Sequence, residues 1–456
     1  MTDDSAAPVL QLLIDALGDR VDTDPASLDA ARADKSGHRS SARPIAVVHA
    51  ESVDDVQSVM RIATQTRTPV VTRGAGTGLA GAANAGAGEI ALSMLRMRDI
   101  LEINPEDQLA VVQPGILNAE LGDVLATHGL WWAPDPASRE IASVGGNIGA
   151  GAGGLLCAKY GVTREAVLGV DLVLADGRLM KLGHRSVKGV TGLDLTALVV
   201  GSEGRLGVVV AATLKLRRLV PGEVVTVASW FGSAADAARA ASAVTAAGIQ
   251  PSIMELVDAR SLVAIHDLLD LPAPPPGAAH LLVQTDGPGA RVEAEAVVAV
   301  LKAVGGVVEI ADDPVEAANL LRVRRSMHPA MERLGTTLIE DVSVPRSAMP
   351  AMFEVIARIE VEHGVIIPTV AHAGDGNLHP NFIFEGDEVP EHIWNAADAM
   401  FLAALQLGGT LTGEHGIGLL KRRWLADELG DAQVQLQRDI AAVFDPLGIL
   451  NPGKVF

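Results

Sequence analysis

The chain has 456 residues, 48% apolar and 20% charged, enough for about three ordinary domains or two large ones and too apolar for a disordered tail. Its 36 Lys and Arg against 56 Asp and Glu leave a net charge of −20, which excludes nucleic acid as a partner. The single cysteine, Cys157, excludes an intramolecular disulfide or a Cys-built zinc site, and no run of about 18 apolar residues predicts a membrane span.

In chain order, the first 41 residues read as an N-terminal helical segment, with an amphipathic helix over residues 6–18 whose acidic flank does not suit a signal peptide. The expected location is cytoplasmic, at most peripheral to a membrane. Ser52, followed by Asp54 and Asp55, predicts the N-cap of a helix reaching about Thr66. Short strands then dominate to about Leu219, among them Pro69–Thr72, Ile90–Met94, Val167–Ala175, Leu198–Val200 and Val208–Val210, with a hairpin turn at Asp176-Gly177.

The 47 glycines are concentrated beside these strands, in PVVTRGAGTGLAG (69–81), SVGGNIGAGAGG (143–154) and VVGSEGRLGVVV (199–210). Glycine lets main-chain N–H groups approach and face an anion, so three such loops predict a long, phosphate-bearing ligand held by backbone. Gly76 to Gly81 formally match GxGxxG, but turn residues and a strand follow instead of a helix, which argues against a nicotinamide Rossmann site.

After Pro221-Gly222 the rhythm alternates. Strands are predicted at Val224–Phe231, Ile253–Val257, His280–Thr285, Gly306–Ile310 and Thr337–Val344. Helices are predicted at Ala234–Ala247, Ala259–Leu269, Ala290–Val304, Pro314–Met327 and from Ser347 to about His363. This βαβ-βαβ order predicts a ferredoxin-like layer, with helices on one face of an antiparallel sheet.

Two stretches then carry chemistry. In AHAGDGNLHP, strands on either side of a Gly-Asp-Gly-Asn turn would bring His372 and His379 together, and TGEHGIG adds Glu414 and His415. Two histidines and a carboxylate suit zinc or another divalent ion with open positions, and His415 remains as a base that titrates near neutral pH. Of Arg322, Arg324 and Arg325, one could hold a carboxylate in a two-pronged hydrogen bond. The Trp131-Trp132 pair reads as core or as subunit contact in a homodimer.

Taken in order with KYGVT (159–163), KGVTGLDLTALVVGSEGRLG (188–207) and FDPLGILNPGK (444–454), these motifs closely resemble the FAD-linked D-2-hydroxy-acid dehydrogenases. That group includes D-lactate dehydrogenase, the glycolate oxidase flavoprotein subunit and D-2-hydroxyglutarate dehydrogenase, within the vanillyl-alcohol oxidase / p-cresol methylhydroxylase (PCMH) superfamily. The resemblance implies an α+β fold: a two-part PCMH-type FAD-binding domain over 42–221, a ferredoxin-like antiparallel-sheet cap for substrate over 222–410, and a C-terminal segment, 411–456, returning to the FAD domain.

By the same resemblance the pyrophosphate loop is Arg73, Gly74, Ala75, Gly76, Thr77, Gly78 and Leu79. Pro136, Ala137, Ser138, Gly145, Gly146 and Asn147 would pass the flavin ring and ribityl chain. Gly201, Glu203, Gly204 and Gly207 would contact the adenine half, with Asn451 reaching back from the tail. His372, His379 and Glu414 match the metal ligands, His415 the catalytic base, and Arg324 best matches the carboxylate-binding arginine. Arg205 replaces a frequent Thr and would either pair with a phosphate or face solvent. No histidine lies in Gly74–Gly81, which implies non-covalent FAD.

The implied reaction is oxidation of a 2-hydroxy acid to the 2-oxo acid. A metal lowers the pKa of the hydroxyl, His415 takes its proton and flavin N5 takes the hydride. With no Cys cluster for an iron–sulfur centre, electrons would leave to a quinone, a cytochrome or an electron-transfer flavoprotein. The competing readings are an oxygen-using flavin oxidase, a metal-dependent hydrolase and a non-catalytic flavin-binding module.

Overall fold

A computed structural model describes residues 3–311, 313–386 and 388–456, which form two compact units. The first comprises residues 1–153, 161–219 and 414–456; the second, residues 154–160 and 220–413.

In the first unit, helix Asp3–Leu17 turns Val9, Leu13 and Leu17 inward. Helix Val53–Thr66 begins in a capping box: the Ser52 hydroxyl accepts from the Asp55 N–H, and the Asp55 carboxylate accepts from the Ser52 N–H. Both helices pack on a four-stranded sheet in the order Val21–Asp22, Ala46–His49, Ile90–Ser93, Val70–Arg73, the last three strands parallel. A separate five-stranded antiparallel sheet, ordered Ile100–Asn104, Leu109–Val112, Val208–Lys215, Val167–Val173, Leu179–Gly183, has its own buried cluster around Val112, Leu172 and Leu214.

Two segments of this unit depart from the sequence expectation. Leu198–Val200 lies at the end of a short helix, Leu195–Val199, because the Asp194 carboxylate caps it by accepting from the Ala197 N–H. The middle glycine cluster is likewise a helix, Val144–Ala150, started by the Ser143 hydroxyl accepting from the Gly146 N–H and stopped by Gly151 in the left-handed region.

The second unit is built on an eight-stranded antiparallel sheet. Strand Val307–Ile310 lies at one edge, followed by Glu223–Phe231, Ala279–Gly287, Ile253–Val257, Thr369–His372, Asn377–Phe384 and Thr336–Ile339, with Val342–Ser343 also pairing Asn377–Phe384. The first four stand in the spatial order 4-1-3-2 by sequence, the ferredoxin-like arrangement. Helices Ala234–Ala246, Ala290–Ala303 and Met349–His363 cover one face, the first through a run of buried alanines.

On the opposite face, directly opposed residues form rows across the sheet. One row is Trp230, His280, Val257, Val370, His379; the next is Ala228, Leu282, Glu255, His372, Asn377.

The helix expected over Pro314–Met327 is two helices, Pro314–Arg325 and Met327–Leu334. An unbroken helix would drive the Pro329 ring into the Arg325 carbonyl, whereas Pro is tolerated in the first turn of a new helix. The strand expected over Thr337–Val344 is interrupted at Glu340-Asp341: Glu340 donates to the Pro380 carbonyl, but Pro380 has no N–H to return.

The C-terminal tail runs beside strand Val70–Arg73, exchanging hydrogen bonds at Ile449 and Asn451. The buried Asn451 side chain donates to the carbonyls of Ala82 and Glu203 at 3.0 and 2.7 Å and accepts from Lys454 at 2.7 Å. Asn451→Ala strands all three groups, so it should destabilise by at least about 3 kcal/mol, at roughly 1–3 kcal/mol per orphaned group. The measurement is the midpoint of thermal unfolding; an unchanged midpoint would refute this role.

Candidate active site

The three glycine clusters converge in the first unit. Gly76 sits at φ 69°, and a Cβ there would meet the Arg73 guanidinium at 2.2 Å. That guanidinium is turned inward, donating to the carbonyls of Ala83 at 2.9 Å and Ala33 at 2.7 Å, so the loop is folded around it. The Asp34 carboxylate holds the far end through the Gly81 N–H at 3.0 Å.

The loop's Gly74 lies against Ser143 and Gly146 at the start of the second cluster. Gly201 and Glu203, in the third, donate through their N–H groups to Ile148 and Gly149 of that helix. Pro136 to Ser138 form a turn whose carbonyls accept from Arg139, Ile141 and Ala142. Gly204 faces Thr72 and Asn451, while Gly207 stands against Leu172.

Arg205 follows neither expectation. It donates to the carbonyls of Leu450 and Asn451, both at 3.1 Å, and lies over the Phe456 ring at 4.8 Å, tying down the tail.

These residues fit a dinucleotide. Among the described residues, the main-chain N–H groups of Gly74 to Leu79 have no hydrogen-bond acceptor, and the Asn147 carboxamide nitrogen is buried without a partner. Such groups need an external acceptor, and phosphate or flavin oxygens and ring nitrogens supply one.

Glu203 does more structural work than its motif suggested. Its two carboxylate oxygens accept from the N–H groups of Ile417 and Gly418 at 2.7 and 2.8 Å, fixing the chain just beyond His415. Burial pushes this carboxyl from 4.5 up to about 7, against the opposing pull of those two N–H groups and Lys421. Between those values the unfolded chain is ionised while the folded protein keeps the proton. The stability it contributes is therefore full below pH 4.5 and lost by pH 7, on the order of 3 kcal/mol at most. Glu203→Gln should accordingly gain stability relative to wild type between pH 5 and pH 7.5, measured by thermal unfolding; a gap that does not move with pH would contradict this.

The second unit carries the histidines. Thr369–His372 and Asn377–Phe384 form the hairpin, closed by Asp375 and Gly376 N–H groups donating to the His372 carbonyl at 3.2 and 3.0 Å. His372 and His379 are diagonal neighbours on one face, their rings 5.0 Å apart and nearly perpendicular, at 5% and 8% exposure.

Asp341, fully buried, accepts from the Gly413 N–H at 2.9 Å and the Thr412 hydroxyl at 2.5 Å, and its other oxygen lies 3.9 Å from His379 Nδ1. This anchor fixes the chain immediately before Glu414. His372 and His379 so present two imidazoles on one face of the second unit, a donor pair that suits a divalent ion, and Glu414 begins the segment that belongs to the first unit.

Glu255 and Asp341 were missed in the sequence. Glu255 sits in the strand IMELV, opposite His372, and is completely buried. One oxygen lies 2.7 Å from His372 Nδ1 and the other accepts from Arg324 Nε at 2.7 Å. Of the three candidate arginines, Arg322 and Arg325 are exposed and Arg324 alone turns to this site. The available signal was a lone acid in an otherwise apolar strand, which must find partners when buried.

Set beside known proteins, residues 44–183 match the FAD binding domain family, and 220–455 match the C-terminal domain of the FAD linked oxidases. The chain is 39% identical to glycolate oxidase subunit GlcD of Bacillus subtilis (strain 168), over 91% of this chain and 89% of that one. It is 32% identical to D-2-hydroxyglutarate dehydrogenase of Stutzerimonas stutzeri (strain A1501) over the full length of both, and to D-lactate dehydrogenase of Anaerostipes hadrus over 91% and 90%. In fold it is similar to p-cresol methylhydroxylase, at a TM-score of 0.78, 18% identity and coverage of 100% and 97%.

The protein is thus an FAD-dependent oxidoreductase with a PCMH-type FAD-binding domain. The chain belongs to the FAD-linked oxidases, in their D-2-hydroxy-acid dehydrogenase group. No helix among its described residues is long and apolar enough to cross a membrane.

Proposed function

We propose that the protein oxidises a small D-2-hydroxy acid to the 2-oxo acid, using non-covalent FAD and a divalent ion, zinc by its donor set, and passes the electrons to a separate acceptor. The observation that carries this reading is that one buried carboxylate, Glu255, pairs with both His372 and Arg324, the residues proposed here for the cation and for the substrate carboxylate. The names of the relatives support the substrate class.

When bound, FAD supplies the two-electron acceptor. A divalent ion at His372, His379 and Glu414 would supply Lewis acidity toward the alcohol. The chain's own groups do the rest. Arg324, its Nε committed to Glu255, keeps its two terminal nitrogens for the substrate carboxylate, a fork that fixes one orientation of the acid. His372, facing Glu255 through Nδ1, would ligate the cation through Nε2. His415, next in the chain to Glu414, receives the hydroxyl proton, and the Asp341 and Glu203 anchors on either side limit its movement.

The test is anaerobic titration of the FAD-loaded protein with paired D- and L-2-hydroxy acids. Lactate, glycolate and 2-hydroxyglutarate cover the class, and bleaching by a D-acid but not its L-partner is expected. Flavin that no member of the panel bleaches would overturn the reading.

A further inference from the structure

We propose that Glu255 is a positioning residue that sets the tautomer of His372 and the aim of Arg324 together, so that a single carboxylate prepares both the cation site and the substrate-carboxylate site; this rests on the function proposed above. Strand Ile253–Val257 is buried at every position, and its other four side chains are Ile, Met, Leu and Val. A carboxylate there is expensive unless both oxygens are engaged. Here both are: one faces His372 Nδ1 and the other Arg324 Nε, each at 2.7 Å, from partners 117 and 69 residues away in the chain. Arg324 is 11% and His372 7% exposed in the side chain, so water offers neither a substitute.

The chemistry follows from the acceptor count. An ionised carboxylate only accepts, so a neutral imidazole facing it carries its proton on Nδ1 and leaves Nε2 unprotonated. The same carboxylate holds Nε of a guanidinium that cannot deprotonate, leaving the terminal nitrogens to point away from Glu255. A glutamine cannot serve both partners. With its oxygen toward the charged Arg324, its NH2 group faces His372 Nδ1, which must become an acceptor and moves the ring proton to Nε2, the atom the cation needs. Glu255→Gln should therefore weaken the cation site more than the arginine, whereas Glu255→Ala releases both.

The experiment uses FAD-loaded protein stripped of metal with a chelator. Zinc titration by calorimetry should give 10- to 100-fold weaker binding in Glu255→Gln, the range for losing a hydrogen-bond partner of a ligating histidine. Nitrogen-15 NMR of the histidine rings, with His372 identified by its loss in His372→Gln, should show the Nδ1-protonated tautomer in metal-free wild type and the Nε2-protonated tautomer in Glu255→Gln. A merely structural ion pair would not move that signal. If the variant does not fold, the wild-type tautomer still decides, and an Nε2-protonated His372 there would overturn the proposal. Equal zinc affinity in both proteins, with an unchanged tautomer, also overturns it while leaving the cation site standing. A wild type that binds no zinc removes the cation site and this proposal together.

Discussion

His415→Ala is expected to purify yellow, with its full complement of FAD, and yet to have that flavin reduced by the 2-hydroxy acid about 10²- to 10⁴-fold more slowly, the range a positioned general base contributes. Retention of the flavin is expected because the groups that fit FAD are the main-chain N–H groups of Gly74 to Leu79 and the Asn147 carboxamide, none of which needs the imidazole. The substitution should also leave the backbone in place. Thr412 and Gly413 remain held by Asp341, and Ile417 and Gly418 by Glu203. The check is anaerobic stopped flow, following flavin absorbance over a range of substrate concentrations and pH. Slowed reduction with unchanged saturation behaviour places the loss in the proton-transfer step. Reduction at the wild-type rate would remove His415 from the base role.

His379→Ala should cost about 10²-fold or more in kcat/KM, since a Lewis acid at the alcohol oxygen is worth several kcal/mol and each 1.36 kcal/mol is tenfold. His379 is chosen over His372 because its loss leaves the Glu255–Arg324 pair untouched, so the effect reports the cation site and not the arginine. Its ring is buried beside that of His372, so removing it takes away one of the three proposed ligands and opens a small cavity. Two measurements belong together: metal content of the purified protein and turnover before and after a chelator. In wild type, chelation should abolish turnover and added zinc or manganese should restore it; the variant should respond to neither. Full activity in chelated wild type would make this cluster a structural feature of the hairpin.

Local chemistry accounts for what could be read early. Ser52 with Asp55, Asp176-Gly177 and the hairpin at His372 depend on a few neighbouring residues, so spacing alone places them. The same locality explains the errors. SVGGNIGAGAGG has the composition of a loop, but one well-placed Ser and a left-handed glycine make its centre a helix. Pro314–Met327 has a continuous helical period, and the proline two residues beyond it sets where the first helix must stop. Arg205, placed among glycines that suit a phosphate, spends its guanidinium on the tail, a partner some 245 residues away.

The residue types and their spacing were enough to place three glycine clusters beside strands, a two-histidine hairpin and a Glu-His pair between glycines, because backbone freedom and side-chain chemistry belong to individual residues and short turns. Strand register decided the rest. Glu255 meets His372, and Arg324 meets Glu255, only because Ile253–Val257 lies beside Thr369–His372 in a particular alignment, and Asp341 is an anchor only where the proline-broken strand turns it toward Thr412. A one-residue slip of Ile253–Val257 would send Glu255 to the other face of the sheet, away from both His372 and Arg324. The pairs that tune the site are thus long-range products of folding, whereas the groups proposed to react are written in consecutive residues.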